Sequence, residues 1–420
     1  MCTATTRSVG GNTLVHSLVW VAFAAALAPL LSSVIGRWVR IPVVVVEIVL
    51  GLLIGPALLG WVDDLTLISA LASLGLALLF FMAGTEIDFA RIKGRPLNRS
   101  IAGWLISMAG GLLAGLIIGP DLPSAIYIGI ALASTALGTL LPILIDTGQL
   151  RRPFGVAVTA VGAVGEFGPL VAISVFLSAR KPGAATVVLL VFVLLAVCAI
   201  LLAATGKHQR LHGLITATLH TSGQFAVRLV IAIVAALAGL SIWLGLDMLL
   251  GAFAGGVIVQ FLLQSATPAD RTQVHSKLDA VAFGLLVPIF FINTGMTFDL
   301  DALVHDSTAL VYLAVFLLLL LILRGLPGLL SAPVGATAGE RRALVLMAAT
   351  GLPIIVAVTQ IGAKRGELPT GMAAALVGAG MLSVLLYPML ATLILGRTEP
   401  RPQDPSPAGE SSIDPAGSEG

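Results

Sequence analysis

Charge is what this chain has least of. Only 10% of its 420 residues are Asp, Glu, Lys or Arg, against about 25% in a typical soluble domain. So few ionic groups cannot cover a water-facing surface, which excludes a soluble globular fold. Cysteine is scarce too: Cys2 and Cys198 give neither a disulfide framework nor metal-ligand spacing. Cys2 reads as part of a frayed terminus and Cys198 as a small apolar filler. The six histidines show no metal spacing, and His208, His212 and His220 read as a solvated loop. The chain also lacks a Gly-x-Gly-x-x-Gly at a strand-to-helix turn, a Gly-x-Ser-Gly, a His-Glu-x-x-His and paired aspartates within an apolar run. No nucleotide-binding domain, intramembrane enzyme, cofactor, metal or nucleic-acid partner is therefore expected.

Apolar residues fill the space that charge leaves. They make up 58% of the chain, the mean hydropathy is +1.05, and runs long enough to cross a bilayer recur along it. The expected fold is an all-α polytopic membrane protein of about 13 spans. These run roughly over 14–35, 42–60, 65–86, 99–119, 123–147, 153–178, 184–205, 222–243, 246–265, 276–297, 308–332, 340–362 and 370–396. Residues 1–13 form a short N-terminal segment, 14–396 the membrane domain, and 397–420 a Pro-, Ser- and Gly-rich tail that reads as disordered and cytoplasmic. The first apolar run reads as a retained helix and not as a cleaved signal.

Charge segregation supports that count. One set of alternate loops, ending with the tail, holds 16 of the Lys and Arg residues and the other set holds 5. The positive-inside rule then places the N-terminus outside and the C-terminus in the cytoplasm. Arg228 and Arg324 fall within spans, Arg228 near an end.

Two spans carry helix breakers at mid-depth. The fifth contains Gly138 and Pro142, and the twelfth contains Thr350, Gly351 and Pro353. Proline removes a backbone donor and glycine loosens a helix. Broken backbone at membrane depth is tolerated where it is buried in protein or lines a cavity. Ala133-Ser-Thr135 also aligns with Ala348-Ala-Thr350 at an offset of 215 residues. An odd number of spans per repeat makes the two repeats inverted, with discontinuous helices near the midplane, as in secondary transporters.

Glu166 lies in Val161-Gly-Ala-Val-Gly-Glu-Phe-Gly-Pro169, immediately after the first broken span. Placing a charge at the bilayer centre costs roughly 2.5–3.5 kcal/mol on insertion scales. Such a residue persists where it has a partner, water or a task. Glu166 and Glu47 are the two carboxylates that the spans are expected to bury outright. Glu166 is the leading candidate for ion chemistry, and Glu47 is a secondary acid with a structural role in packing or water access.

Several segments together resemble a family. Ile41–Pro56 (IPVVVVEIVLGLLIGP), Leu74–Asp88 (LGLALLFFMAGTEID), Ser134-Thr-Ala136, Leu250–Gly256 (LGAFAGG) and Pro288–Met296 (PIFFINTGM) resemble, in order, signatures of monovalent cation:proton antiporters of the sodium/hydrogen exchanger superfamily. The resemblance implies an inverted-repeat fold of 12 or 13 helices with two crossing discontinuous helices, and a homodimer. It implies a scaffold beside a mobile core, and exchange of Na⁺ or K⁺ for protons by alternating access. The family's ion carboxylate falls on Glu166. Members carry Asp-Asp or Asn-Asp there, whereas this chain has Gly165-Glu166, one carboxylate with a longer side chain. Ser134 and Thr135 would offer oxygen ligands. Arg324 falls where the family places a cation, which makes it the expected countercharge at the helix crossing. Arg365-Gly-Glu367 resembles another family motif, but it lies past the twelfth span in a loop and receives no ion role. Asn293 would pack at the boundary between core and scaffold. Transport of another solute on the same fold, or a membrane sensor that does not transport, are the alternatives.

Overall fold

The computed structural model describes residues 6–35, 41–62, 65–87, 92–177, 182–205, 225–264, 268–304 and 307–398. Among these residues every regular element is a helix. The tail from residue 399, Cys2 and the three loop histidines lie outside them.

The helices follow the apolar runs. They are α1 (Thr6–Ile35), α2 (Val43–Ile54), α3 (Thr66–Glu86), α4 (Arg95–Ile118), α5 (Leu122–Leu132), α6 (Leu137–Asp146), α7 (Pro153–Phe176), α8 (Pro182–Thr205), α9 (Phe225–Trp243) and α10 (Met248–Gln264). Next come α11 (Pro268–Val281) and α12 (Val287–Met296), joined by the π-helical turn Ala282–Leu286, and the short α13 (Leu300–Val304). α14 (Ser307–Leu319) runs into a second π-helical segment, Leu320–Gly325. α15 (Ala338–Ala348), α16 (Pro353–Arg365) and α17 (Thr370–Thr398) complete the described chain.

Among the described residues nine continuous or broken helices are long and apolar enough to cross a membrane, and four shorter apolar helices accompany them. Together they fall on the thirteen expected spans, with differences in extent such as α11, which starts at Pro268 ahead of the expected 276. α1 starts at Thr6, ahead of the expected residue 14. α2 stops at Ile54, short of residue 60, because Gly55 precedes Pro56 and adopts an extended ψ of 175°; proline disfavours helical backbone in the residue before it. Apolar side chains such as Phe23 (61% exposed) and Ile117 (84%) face outward. Lipid can cover such a surface; water would penalise it.

Helix contacts fall into two groups. α3 packs on α10 and α12, α2 on α1 and α12, and α9 on α10. In the other group α4 packs on α5 and α7, while α17 packs on α14 and α15. α8 touches α7 and α10, one helix of each group. Bilayer lipid is as apolar as leucine, so close helix pairs in a membrane depend on small residues that let backbones approach. α3 and α10 meet this way: a methyl group at Gly84 would overlap the Phe253 carbonyl, and one at Gly256 the Phe81 carbonyl. Asn293 of α12 is buried and accepts a hydrogen bond from Ser69 of α3 at 3.3 Å, so it packs within one helix group.

Candidate ion-binding site

The two broken helices meet at their breaks. α5 ends at Leu132, and Ala133–Ala136 leaves the helix before α6 begins. The chain breaks there because its polar groups find partners outside their own helix. Thr135 donates its backbone N–H to the Gly165 carbonyl at 3.0 Å, and Ala136 donates to the Thr350 carbonyl at 2.8 Å. The Thr135 hydroxyl donates to the Ala348 carbonyl at 2.7 Å. Ser134 turns its hydroxyl back to Ala131 at 2.7 Å. The expected breakers are displaced from this gap: Gly138 and Pro142 both lie inside α6. Tertiary hydrogen bonding, and not proline, opens the first helix.

The second break matches the sequence more closely. α15 ends at Ala348, Ala349–Leu352 is non-helical, and Pro353 opens α16, where a missing N–H costs nothing. Thr350 and Gly351 lie in the gap. Gly351 donates its N–H to Ser383 Oγ at 3.1 Å, and the Ser383 hydroxyl lies 3.0 Å from the Gly351 carbonyl. Ser383 thus ties the break to α17, a role that its sequence setting does not reveal.

Glu166 sits in the middle of α7 and is only 3% exposed. The backbone N–H groups of Leu137 and Gly138, at the start of α6, lie near its carboxyl. A helix N-terminus carries unsatisfied donors and a partial positive charge, which suits an anion. The break therefore delivers the positive end of a half-helix to the buried acid. Glu166 Oε2 has no hydrogen-bond partner.

Arg324 is buried, with 1% exposure, so it does not snorkel to an interface. The π-helical segment Leu320–Gly325 carries it. Its Nε donates to Thr135 Oγ1 at 2.7 Å, and its Nη2 donates to the Val161 carbonyl at 2.8 Å. Arg324 thus clamps the first break to α7 as expected of a group at the helix crossing. The guanidinium spends these donors on a hydroxyl and a carbonyl. Gly165 makes this possible: a methyl there would stand 2.5 Å from Arg324 Nη2 and 2.6 Å from Thr135 Oγ1. The position that precedes the acid is empty of side chain because arginine and threonine fill it.

A cavity of about 870 Å³ reaches Glu166. Glu166, Gly138, Pro142 and Pro353 line it, whereas Ser134, Thr135, Thr350, Gly351, Arg324 and Glu47 are not among its lining residues. Glu47 is buried in α2 at 5% exposure. Ile41, Pro42 and Thr147 line it as well; in the sequence they stand near the basic residues Arg37, Arg40, Arg151 and Arg152.

Glu47 and Glu166 are the buried carboxylates among the described residues, and a third, partly buried acid joins Glu166 on the cavity. Glu86, the last residue of α3, also lines it and has an enclosed Oε2 without a partner. Its place at the edge of an expected span hid it, since hydropathy cannot tell a buried helix end from a solvated one.

Arg365 and Glu367 make short contacts elsewhere. Tyr127 donates its hydroxyl to Glu367 at 2.5 Å, Ser124 to the Glu367 carbonyl at 2.8 Å, and Arg365 to the Leu177 carbonyl at 2.7 Å. Arg365 is the final residue of α16 and not a loop residue; Gly366 caps the helix at φ 67°. Cys198 is exposed on the apolar face of α8, so it does not fill a core gap. Arg228 stands near the start of α9 and is exposed.

A membrane bundle in which two broken helices cross beside a buried acid has the build of a secondary transporter. The chain belongs to the family described as sodium/hydrogen exchanger, transmembrane, whose model matches residues 22–396. It is 25% identical to the putative Na⁺/H⁺ antiporter YjbQ of Bacillus subtilis over 92% of this chain and 64% of that protein. It is 26% identical to the Na⁺/H⁺-K⁺ antiporter GerN of Bacillus cereus over 62% of this chain and 67% of that one. The chain thus spans about two thirds of the length of these relatives. Among solved structures, the sodium proton antiporter MjNhaP1 of Methanocaldococcus jannaschii shares the fold, with a TM-score of 0.60 at 16% identity over 92% of this chain and 97% of that one.

Proposed function

We propose that this protein exchanges a monovalent cation, Na⁺ or K⁺, for protons by alternating access, with both competing for Glu166. The observation that carries this reading is the unpartnered Glu166 Oε2 on a cavity deep in the bundle. The carboxyl faces the N-terminus of a half-helix, and its unpartnered Oε2 is free to take a proton or a cation. A bare carboxylate in a dry passage is costly, so the empty, ionised site resists the change of access. Either ion neutralises the site and permits it, and alternate occupancy couples the two fluxes.

The positive-inside pattern supports a C-terminus in the cytoplasm. The family and the paired breaks support inverted repeats, a scaffold beside a moving core and a homodimer. Purified protein in proteoliposomes with imposed pH and cation gradients tests the reading. Proton flux that depends on Na⁺ or K⁺ and vanishes in Glu166→Gln is expected. Proton flux indifferent to both cations, or exchange that persists in Glu166→Gln, overturns it. The first outcome would favour another solute, and no flux of any kind a sensor.

A further inference from the structure

Glu86 is unexplained by the chemistry of Glu166 alone. It ends α3, where the helix presents the negative end of its dipole, so a carboxylate there is opposed by its own helix. Its Oε2 is enclosed and receives no hydrogen bond. Its electrostatic neighbours among the described residues are two further acids, Glu166 on the same cavity and Asp279 of α11. A side chain placed against a helix C-terminus and two further acids suits a ligand of opposite sign.

The cavity supplies the route. Glu86 and Glu166 stand on different helices and in different helix groups, yet both face one continuous space, with Gly138 and Pro142 between the helix groups along its wall. Gly138 carries no side chain to narrow the passage, and a methyl group there would meet nothing within 4 Å. Glu166, 3% exposed, has its free Oε2 at the deep end. The two acids differ in setting: the N-terminal end of α6 faces Glu166, while the carbonyl end of α3 backs Glu86. The second setting has the stronger demand for a cation, because a helix C-terminus carries partial negative charge.

We propose that Glu86 is a second cation-accepting carboxylate of this cavity, an outer station that receives a hydrated Na⁺ or K⁺ and passes it to Glu166. This rests on the exchange reading above and deepens it. The acid that Gly165 does not provide is supplied from α3, across the boundary between the helix groups. Movement of one group against the other would then change the spacing of the two stations, so that access and cation hand-over are linked.

The experiment is exchange in proteoliposomes by wild type, Glu86→Gln, Glu86→Asp and Glu166→Gln, with the half-saturating Na⁺ and K⁺ concentrations and the maximal rate read separately. Gln keeps the shape of Glu86 and removes its charge. Glu86→Gln is expected to raise the half-saturating concentration of the transported cation about tenfold, in line with one nearby charge lost at intermediate dielectric. The maximal rate should stay within about twofold, and Glu86→Asp should recover most of the affinity. Raising ionic strength with choline chloride should narrow the gap between wild type and Glu86→Gln, since screening weakens a charge effect and leaves a packing defect untouched. An unchanged half-saturating concentration in Glu86→Gln overturns the proposal, as does a gap indifferent to choline. If Glu86→Gln does not fold, Glu86→Ala and its choline series carry the same decision. Persistent exchange in Glu166→Gln would refute the Glu166 reading instead, whatever Glu86 shows.

Discussion

Arg324 and Thr135 lie 189 residues apart in the chain and meet at 2.7 Å, Nε to Oγ1. The hydroxyl passes its own proton to the Ala348 carbonyl at 2.7 Å, so one threonine connects the fixed cation, the first break and the end of α15. Arginine remains protonated and offers only donors. It therefore acts as a clamp.

Thr135→Val tests that chain of bonds. Valine keeps the shape, removes the acceptor for Arg324 Nε and removes the donor to Ala348. Leaving a buried charged donor unmatched costs about 1–3 kcal/mol or more. A lower melting temperature in detergent is expected, with stability largely regained in Thr135→Ser. A valine variant as stable as wild type would remove Thr135 from the support of the crossing.

Gly165→Ala should be worse than a surface substitution. Its methyl would meet Arg324 Nη2 at 2.5 Å and Thr135 Oγ1 at 2.6 Å. Overpacking of this kind costs about 1–3 kcal/mol. Exchange should fall together with stability, because the atoms displaced hold the break that feeds Glu166. Purification yield, melting temperature and flux check the three links in turn.

The α3–α10 contact gives a prediction about helix packing. Gly256→Ala would press a methyl into the Phe81 carbonyl, forcing the two helices apart. The expected loss is again about 1–3 kcal/mol, seen as a lower melting temperature. A variant as stable as wild type would show that the two backbones do not need this close approach.

A pH effect is expected at the start of α5. Asp121 caps α5, accepting the Ser124 N–H at 2.9 Å. Hydrogen bonding by Ser124 holds the Asp121 carboxyl below its usual value of 3.8. A carboxyl depressed in the folded state adds stability above its unfolded value, and that stability is lost as pH falls through the folded one. Asp121→Asn keeps an acceptor without the charge. Between neutral pH and about pH 3 its melting temperature should decline less than that of wild type. Parallel declines would show that the cap does not titrate with folding.

Much of this was legible in local sequence. Apolar runs with few charges specify helices that cross a bilayer, because every backbone polar group in lipid must be satisfied within its own helix. Pro353 located the second break, where proline at a helix start is self-consistent, and the cost of a mid-span charge singled out Glu166. The first break was legible only in part. Pro142 suggested an interruption, but the gap is set by hydrogen bonds from Thr135 and Ala136 to Gly165 and Thr350, residues that the sequence leaves far apart.

The sequence by itself determined that this is a helical membrane protein with two interrupted helices and a buried acid after the first. These features depend on hydropathy and backbone chemistry within one span. Only the tertiary structure decided that Gly165 makes room for Arg324 and that Arg324 binds Thr135 and Val161. It also decided that Glu86 shares a cavity with Glu166. Each of these depends on how helices rotate and cross, and such contacts join side chains whose separation along the chain carries no record of their separation in space.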